Sequence, residues 1–243
     1  MARYAMVTDL RKCVACHACT ASCNAEWDVP PGQARTHVKQ TPLAGFFPEL
    51  TSSPYVAQCN HCDHPSCVPA CPSGATYVDE GGSVRVDAGV CIGCAFCVEA
   101  CPYEARTISA RTRKVDKCDF CAPRVARGEE PSCVATCPAH AKHFGDLEDR
   151  EGEVHRMVFH DGARRIETAD VALGPNVYYL GKPEHLDLVA KSFPPVPPTA
   201  PTSREAWRRL VKPLVLGVVG LSLVGQAVAF FNQLHKGEGD FDE

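Results

Sequence analysis

The chain has 243 residues, with 25 basic and 29 acidic side chains giving a formal charge of −4, and it carries 16 cysteines. A chain this long buries ample apolar surface without covalent staples, so a disulfide framework is unnecessary, and tight CxxC steps fit one poorly. No basic stripe outweighs the carboxylates, which removes nucleic acid as an expected partner.

The stretch Met1-Ala2-Arg3-Tyr4-Ala5-Met6-Val7-Thr8-Asp9 has no apolar run long enough for a signal-peptide core and no twin-arginine pair. If the chain is exported, another protein is expected to carry the address. From residue 13 the cysteines sort into four groups. Group one is Cys13-x2-Cys16-x2-Cys19-x3-Cys23, and group two is Cys59-x2-Cys62-x4-Cys67-x3-Cys71. Group three is Cys91-x2-Cys94-x2-Cys97-x3-Cys101, and group four is Cys118-x2-Cys121-x11-Cys133-x3-Cys137. Proline follows the last cysteine of groups two, three and four as Pro72, Pro102 and Pro138, while group one has Asn24 there. Every cysteine belongs to a group.

The spacing has a chemical reason. A cubane iron–sulfur cluster needs one thiolate per iron, and a short loop wraps only about three of its corners. The fourth cysteine starts the next helix, and proline turns the chain away. Group three matches C-x2-C-x2-C-x3-C-P in full. Four thiolates per cluster predict four [4Fe–4S] clusters. Zinc is the competing reading, but its sites close with two CxxC-type pairs and leave the third cysteine and the repeated C-P unexplained. Cys13-Val14-Ala15-Cys16-His17 also matches the C-x-x-C-H of haem attachment, but Cys19 and Cys23 continue the cluster pattern through it.

A weaker repeat runs through the later groups as C-P-x-x-A, at Cys71–Ala75, Cys101–Ala105 and Cys137–Ala141. After the first comes a predicted hairpin, Thr76-Tyr77-Val78 and Ser83–Asp87 about Asp79-Glu80-Gly81-Gly82. Arg106–Ser109 and Lys114–Asp116 repeat it more faintly. The insert between Cys23 and Cys59 holds Pro30, Pro31, Gly32, Pro42, Gly45, Pro48 and Pro54 with Phe46 and Phe47. It reads as a long structured loop with some strand, either a docking surface or a lid over one cluster.

His17, His61, His64 and His140 lie in or beside the cysteine loops, as hydrogen-bond donors to sulfur or as ordinary loop histidines. Lys117, Arg124 and Arg127 near group four read as charge balance. Four cysteinates around a 2+ cubane carry about −2, so four clusters would bring the chain near about −12.

Phe193-Pro-Pro-Val-Pro-Pro-Thr-Ala-Pro201 reads as an extended spacer. Thr202 and Glu205 can form a capping box, and Trp207 sits among Arg204, Arg208, Arg209 and Lys212 as interfacial flanks do. Residues 214–234 then run without a charge for 21 residues, about 31 Å as a helix, which is one bilayer core. Gly217, Gly220 and Gly225, the last with Ala229, allow close approach of a partner helix, and His235 lies at the boundary. One span makes an anchor, not a channel. The predicted organisation is a cluster domain over 1–190, a Pro-rich linker over 191–203, an interfacial start and transmembrane helix over 204–235, and an acidic tail over 236–243.

Gln58–Pro72, Cys91–Tyr103 and Lys117–Cys121, with Gly128, Pro131 and Cys133, resemble the four-cluster ferredoxin subunits of membrane molybdopterin oxidoreductases. These are the DMSO reductase, polysulfide and tetrathionate reductase, and formate dehydrogenase group. The resemblance covers roughly residues 4–180, ending near Pro175–Tyr179. It implies an α+β fold of two pseudo-symmetric ferredoxin-like halves, followed here by the single C-terminal helix. It also implies a crossed pairing of ligands: Cys91, Cys94 and Cys97 with Cys71, and Cys59, Cys62 and Cys67 with Cys101. In the other half, Cys13, Cys16 and Cys19 pair with Cys137, and Cys118, Cys121 and Cys133 with Cys23. Some relatives replace one ligand and hold a three-iron cluster, whereas all sixteen positions here are cysteine.

No nucleotide loop, GxSxG elbow or pterin pocket is visible, so the chain reads as an electron-transfer subunit and not an enzyme by itself. The resemblance implies a molybdopterin catalytic subunit on one side and a quinone-reactive integral membrane subunit on the other. The alternatives are the ferredoxin subunit of a membrane-bound nickel–iron hydrogenase and a zinc-rich scaffold. The positive-inside rule, with four cations before the helix and only Lys236 after it, places the domain in the cytoplasm. Many members of the group instead face the periplasm, exported folded with a partner that bears the signal, and that outer face is the one preferred here.

Overall fold

Strand β1 (Tyr4–Asp9) is apolar on both sides of its pleat: Ala5, Met6 and Val7 are all buried. Such a strand needs cover on both faces, since successive side chains point opposite ways. The computed structural model, which describes residues 2–167, 172–193 and 212–236 (within the last stretch, side chains at 213–215 and 217–232), shows how the cover is supplied. In chain order the first half comprises α1 (Ala18–Trp27), β2 (Thr36–Gln40), β3 (Pro54–Gln58), β4 (Thr76–Val78), β5 (Val84–Val86), α2 (Phe96–Glu99), β6 (Thr107–Ile108) and β7 (Val115–Asp116). The second comprises α3 (Ala122–Val125), α4 (Ser132–Ala135), β8 (Lys142–Asp146), α5 (Glu153–Phe159), β9 (Arg164–Arg165), β10 (Val177–Leu180), α6 (Pro183–Ser192) and α7 (Lys212–Lys236).

The main sheet has the order β8-β1-β10-β9. Strand β1 pairs antiparallel with β8, from Tyr4↔Asp146 to Thr8↔Lys142, and parallel with β10, from Met6↔Val177 to Asp9↔Leu180. Its alternation sorts two cores. Ala5, Val7, Tyr178 and Leu180 meet Val154 and Met157 of α5 on one face. Met6, Val177 and Tyr179 on the other face meet Tyr55, Val56, Leu186 and Val189, and with them Cys19, Cys59, Cys118 and Cys133. The cysteine loops are thus packed on one side of a sheet whose other side is sealed by a helix.

The sequence hairpin over 76–86 forms as β4-β5 with Thr76↔Val86 and Val78↔Val84, and its fainter repeat as β6-β7 with Thr107↔Asp116. The insert between groups one and two is a longer hairpin, β2-β3, with Thr36↔Gln58 and Gln40↔Pro54. Beyond its strands, Leu43, Phe46, Phe47 and Leu50 are exposed, the two phenylalanines by 90% and 89%. The mixture of helix and strand agrees with the expected α+β class.

The chain divides into two compact units, Met1–Pro198 and Thr199–Glu243. In the second, α7 contains Pro213–Asn232, a stretch long and apolar enough to cross a membrane. The Pro-rich spacer after Phe193, the capping box, Trp207 with its cations up to Val211, and the tail from residue 237 lie outside the described residues.

Candidate functional site

In groups one, three and four the x3 step follows a helical turn, while Cys67–Cys71 of group two lies in a run of turns. Cys19 and Cys23 both lie in α1 and are its buried residues. Cys97 lies in α2 and Cys133 in α4, with Cys101 and Cys137 four residues on, just beyond the helix ends. Here the third cysteine sits in the helix and the fourth follows its end, where the spacing predicts that the fourth starts one. Residues four apart share a face but are displaced about 6 Å along the axis. Two thiols of one group therefore reach different neighbours, as a crossed arrangement requires.

The loops before these helices repeat one backbone feature. The third residue of the first CxxC in each group is left-handed: Ala15 (φ 53°), His61 (45°), Gly93 (71°) and Phe120 (56°). So are His17 (60°) and Ala95 (65°) between the next cysteines, and Gly74 (70°), Glu104 (50°) and His140 (44°) at the fourth position of each C-P turn. Non-glycine residues enter this region at a cost of about 1–2 kcal/mol, so its recurrence at fixed offsets marks an imposed loop shape. Such backbone forms N–H-lined concavities suited to anionic groups, iron–sulfur clusters among them. Of the two glycines among these positions, Gly93 is sterically required, since a Cβ there would lie 2.3 Å from the Arg113 carbonyl oxygen, whereas Gly74 has open space.

All sixteen cysteines are free. Cys13, Cys16, Cys19 and Cys137 line one opening of about 350 Å³, solvent at its mouth included. Cys59, Cys62, Cys67 and Cys101 interact with one another. Burial pushes the thiols of Cys62, Cys67 (to about 12) and Cys101 up, and charge on the others adds to it. Cys23, Cys118, Cys121 and Cys133 do the same: burial takes Cys23 to about 12 and Cys118 well above its usual value, with their mutual charge reinforcing it. Cys71, Cys91 and Cys97 share an apolar cluster with Cys67, Ala75 and Val84. Cys94 is exposed and outside that cluster. Cys71 differs in direction: although burial works upward, hydrogen bonds from Thr76 and Ser73 pull its thiol down to about 7.

Buried thiols pushed up in this way stay protonated unless a metal takes the proton's place, which is the chemistry of soft thiolate ligation. Among the described residues no three or more His, Cys, Asp or Glu side chains converge closely enough for a single ion. An opening lined by four thiols suits a larger group, and the donor set fits an iron–sulfur cluster better than zinc.

Of the four histidines singled out by position, His17, His64 and His140 are exposed, while His61 is fully buried. Its Nδ1 accepts from the Val84 N–H at 3.1 Å, and burial, with Lys117, Arg85 and Arg106 nearby, holds its pKa well below the ordinary value. It is a neutral core residue. Besides Thr76 and Ser73 at Cys71, the donors that reach cysteine sulfur include Arg106 to Cys67 (2.9 Å), Trp27 to Cys121 (3.5 Å) and the Ala141 N–H to Cys137 (3.3 Å). Lys117 is buried and donates to the carbonyls of Val84 and Cys118. Arg124 pairs with Glu26 and Glu129, and Arg127 with Glu129, so these two balance carboxylates.

Arg106 and Lys142 were not among the residues the motifs picked out. Each is almost wholly buried. Lys142 is in the wall of the opening lined by Cys13, Cys16, Cys19 and Cys137, and its Nζ donates to Gln58 Oε1 at 2.7 Å. Desolvation opposes its charge, yet Cys133, Cys19 and Cys118 hold its pKa above the usual value. The available signal was positional: each residue directly follows a C-P-x-x-A stretch.

Comparison with known proteins agrees with this chemistry. Residues 52–147 match the 4Fe-4S dicluster domain family, a range that includes groups two, three and four. A tetrathionate reductase subunit of Salmonella typhimurium is 42% identical over 181 residues, covering 74% of this chain and 72% of the relative. This protein belongs to the iron–sulfur subunits of the molybdopterin oxidoreductase family. Thiosulfate reductase electron transfer subunit PhsB of Salmonella typhi is 42% identical over 158 residues, covering 64% of this chain and 81% of the relative. A polysulfide reductase chain of Wolinella succinogenes is 38% identical over 158 residues, covering 64% and 83%. These iron–sulfur subunits are electron-transfer components of reductases.

Proposed function

We propose that this chain relays electrons between a molybdopterin catalytic subunit and a quinone-reactive integral membrane subunit through four [4Fe–4S] clusters. The sets that would hold them are Cys13/Cys16/Cys19/Cys137, Cys23/Cys118/Cys121/Cys133, Cys59/Cys62/Cys67/Cys101 and Cys71/Cys91/Cys94/Cys97. The observation that carries this reading is the four-thiol opening at Cys13, Cys16, Cys19 and Cys137, which gathers three cysteines of one group with the last of another. The mutual charge effects among Cys59, Cys62, Cys67 and Cys101, and among Cys23, Cys118, Cys121 and Cys133, support two more such sets. When bound, each cluster supplies a one-electron couple. The protein's own part is to bury the thiols, aim N–H donors at sulfur and place cations nearby. The chain itself is a conduit and not a catalyst.

The apolar stretch Pro213–Asn232 would anchor the protein in the cell membrane. We take the cluster domain to face outward, as export of a folded complex allows, and protease added to spheroplasts tests that side.

The deciding experiment is metal analysis of the intact complex purified from its host. About sixteen irons per chain with matching acid-labile sulfide, together with molybdenum, is the expected result. Nickel in place of molybdenum would favour the hydrogenase reading, and a colourless zinc protein would end both.

A further inference from the structure

The C-P-x-x-A stretches end at Ala75, Ala105 and Ala141, and the next residues are Thr76, Arg106 and Lys142. All three are buried. In the ordinary course a surface-length cation inside a small domain needs a carboxylate partner. Neither cation has one among the described residues. Arg106 donates through Nη2 to Cys67 Sγ at 2.9 Å and through Nη1 to Thr76 Oγ1 at 3.2 Å, and its buried Nε has no acceptor among the described residues. Lys142 donates to the neutral Gln58 amide and faces the opening at Cys13, Cys16, Cys19 and Cys137.

The two cations stand in equivalent places. Arg106 follows Cys101 and touches Cys67 of the same proposed set, while Cys97 of the neighbouring set shares an apolar cluster with Cys67. Lys142 follows Cys137, faces that cysteine's set, and lies near Cys133 and Cys118 of the adjoining one. An added electron makes a thiolate-bound group one charge more negative. A fixed cation at hydrogen-bond range, in a buried site where salt screens little, favours that reduced state.

We propose that Arg106 and Lys142 are matched positioning residues for electrons, each raising the reduction potentials of the two adjoining clusters it serves. The inference rests on the four-cluster reading. It assigns Arg106 to the clusters of Cys59/Cys62/Cys67/Cys101 and Cys71/Cys91/Cys94/Cys97, and Lys142 to the other two. Thr76, the uncharged member of the series, binds Cys71 and receives Arg106 instead of supplying a cation.

The test is an EPR-monitored redox titration of the intact complex carrying Arg106→Gln or Lys142→Met, with Arg106→Lys and Lys142→Arg as charge-keeping controls. In each neutral variant the reduced-to-oxidised ratio of two clusters at fixed potential should fall by about tenfold or more, about 59 mV per tenfold for one electron. The two variants should move different pairs, and the charge-keeping exchanges should stay close to wild type. Unmoved potentials, a uniform shift of all four clusters, or equal shifts in the controls would overturn the proposal. Loss of iron from both neutral variants would make the cations assembly ties and overturn it as well. Absence of [4Fe–4S] signals from the wild-type complex would instead remove the reading on which it rests.

Discussion

The His61 ring stacks on Phe120 with centroids 3.7 Å apart and planes 16° from parallel. Both residues are the third of a CxxC, in groups two and four, and both are left-handed. The stack therefore joins two cysteine loops that are distant in sequence, through side chains that the repeat places equivalently. His61 adds an acceptor for the Val84 N–H, which ties the β4-β5 hairpin to the same point.

Removing that ring should be costly. His61→Ala leaves a cavity and an unpaired amide, with an expected loss of about 3 kcal/mol. His61→Phe keeps the stack and loses only the acceptor, for about 1–3 kcal/mol. Thermal loss of the cluster absorbance, followed for wild type and both variants, should rank them in that order. Equal behaviour of all three would show that the stack carries no stability.

Tyr179 makes a second tie of this kind. Its hydroxyl donates to the Val56 carbonyl at 2.8 Å in the fully buried region between β10 and β3. Tyr179→Phe preserves the packing and strands one buried carbonyl oxygen, which should lower stability by about 1–3 kcal/mol. Strand β3 leads directly into Cys59, so the same variant should show faster hydrogen exchange across 54–58. Unchanged melting and exchange would mean water replaces the hydroxyl.

The hairpin over 76–86 was legible because its pattern is local: two short β-rich runs flank a glycine turn, and Gly82 takes the positive φ (75°) that the turn needs. The main sheet was not. Strand β1 is paired with residues 142–146 and 177–180, and no local signal announces partners so far away. Its apolar run also lacks the alternation of a half-exposed strand, because both of its faces are buried. Cysteine grouping was read from spacing alone, whereas burial decided the histidines: position singled out four, and only His61 is inside. The buried cations beside the thiols escaped for the opposite reason. Lys117, Arg124 and Arg127 drew notice by clustering near group four, while Arg106 and Lys142 stand singly and become neighbours of thiols only on folding.

Crossed ligation makes a specific prediction. Cys101→Ser should eliminate or alter the cluster of Cys59, Cys62 and Cys67, with whose thiols Cys101 interacts, and spare that of its loop neighbours Cys91, Cys94 and Cys97. Low-temperature EPR of the reduced variant complex should lack one cluster signal. The matched variant Cys71→Ser should remove a different one. If both substitutions removed the same signal, or if Cys101→Ser gave the spectrum of Cys94→Ser, crossed ligation would be wrong.

The last helix makes an independent prediction. Along α7 the exposed apolar residues include Leu214, Val215, Val218, Val219, Leu221, Leu223, Val224, Val228, Phe230 and Phe231. At 100° per residue these positions surround the axis, so no face is left polar and a surface-lying amphipathic helix is a poor fit. A helix of this kind is stable in water only when covered, and in a bilayer it covers itself with lipid. Each acidic residue placed at its centre should cost about 2.5–3.5 kcal/mol of insertion. The double variant Val219→Asp, Leu223→Asp therefore faces a penalty of about 5–7 kcal/mol, enough to prevent spanning by a single helix of this length. After alkaline carbonate washing, the wild-type protein expressed without its partners should stay in the membrane pellet, and the double variant should move to the supernatant with its iron retained. If both proteins washed off alike, α7 would be a partner-binding helix and not an anchor.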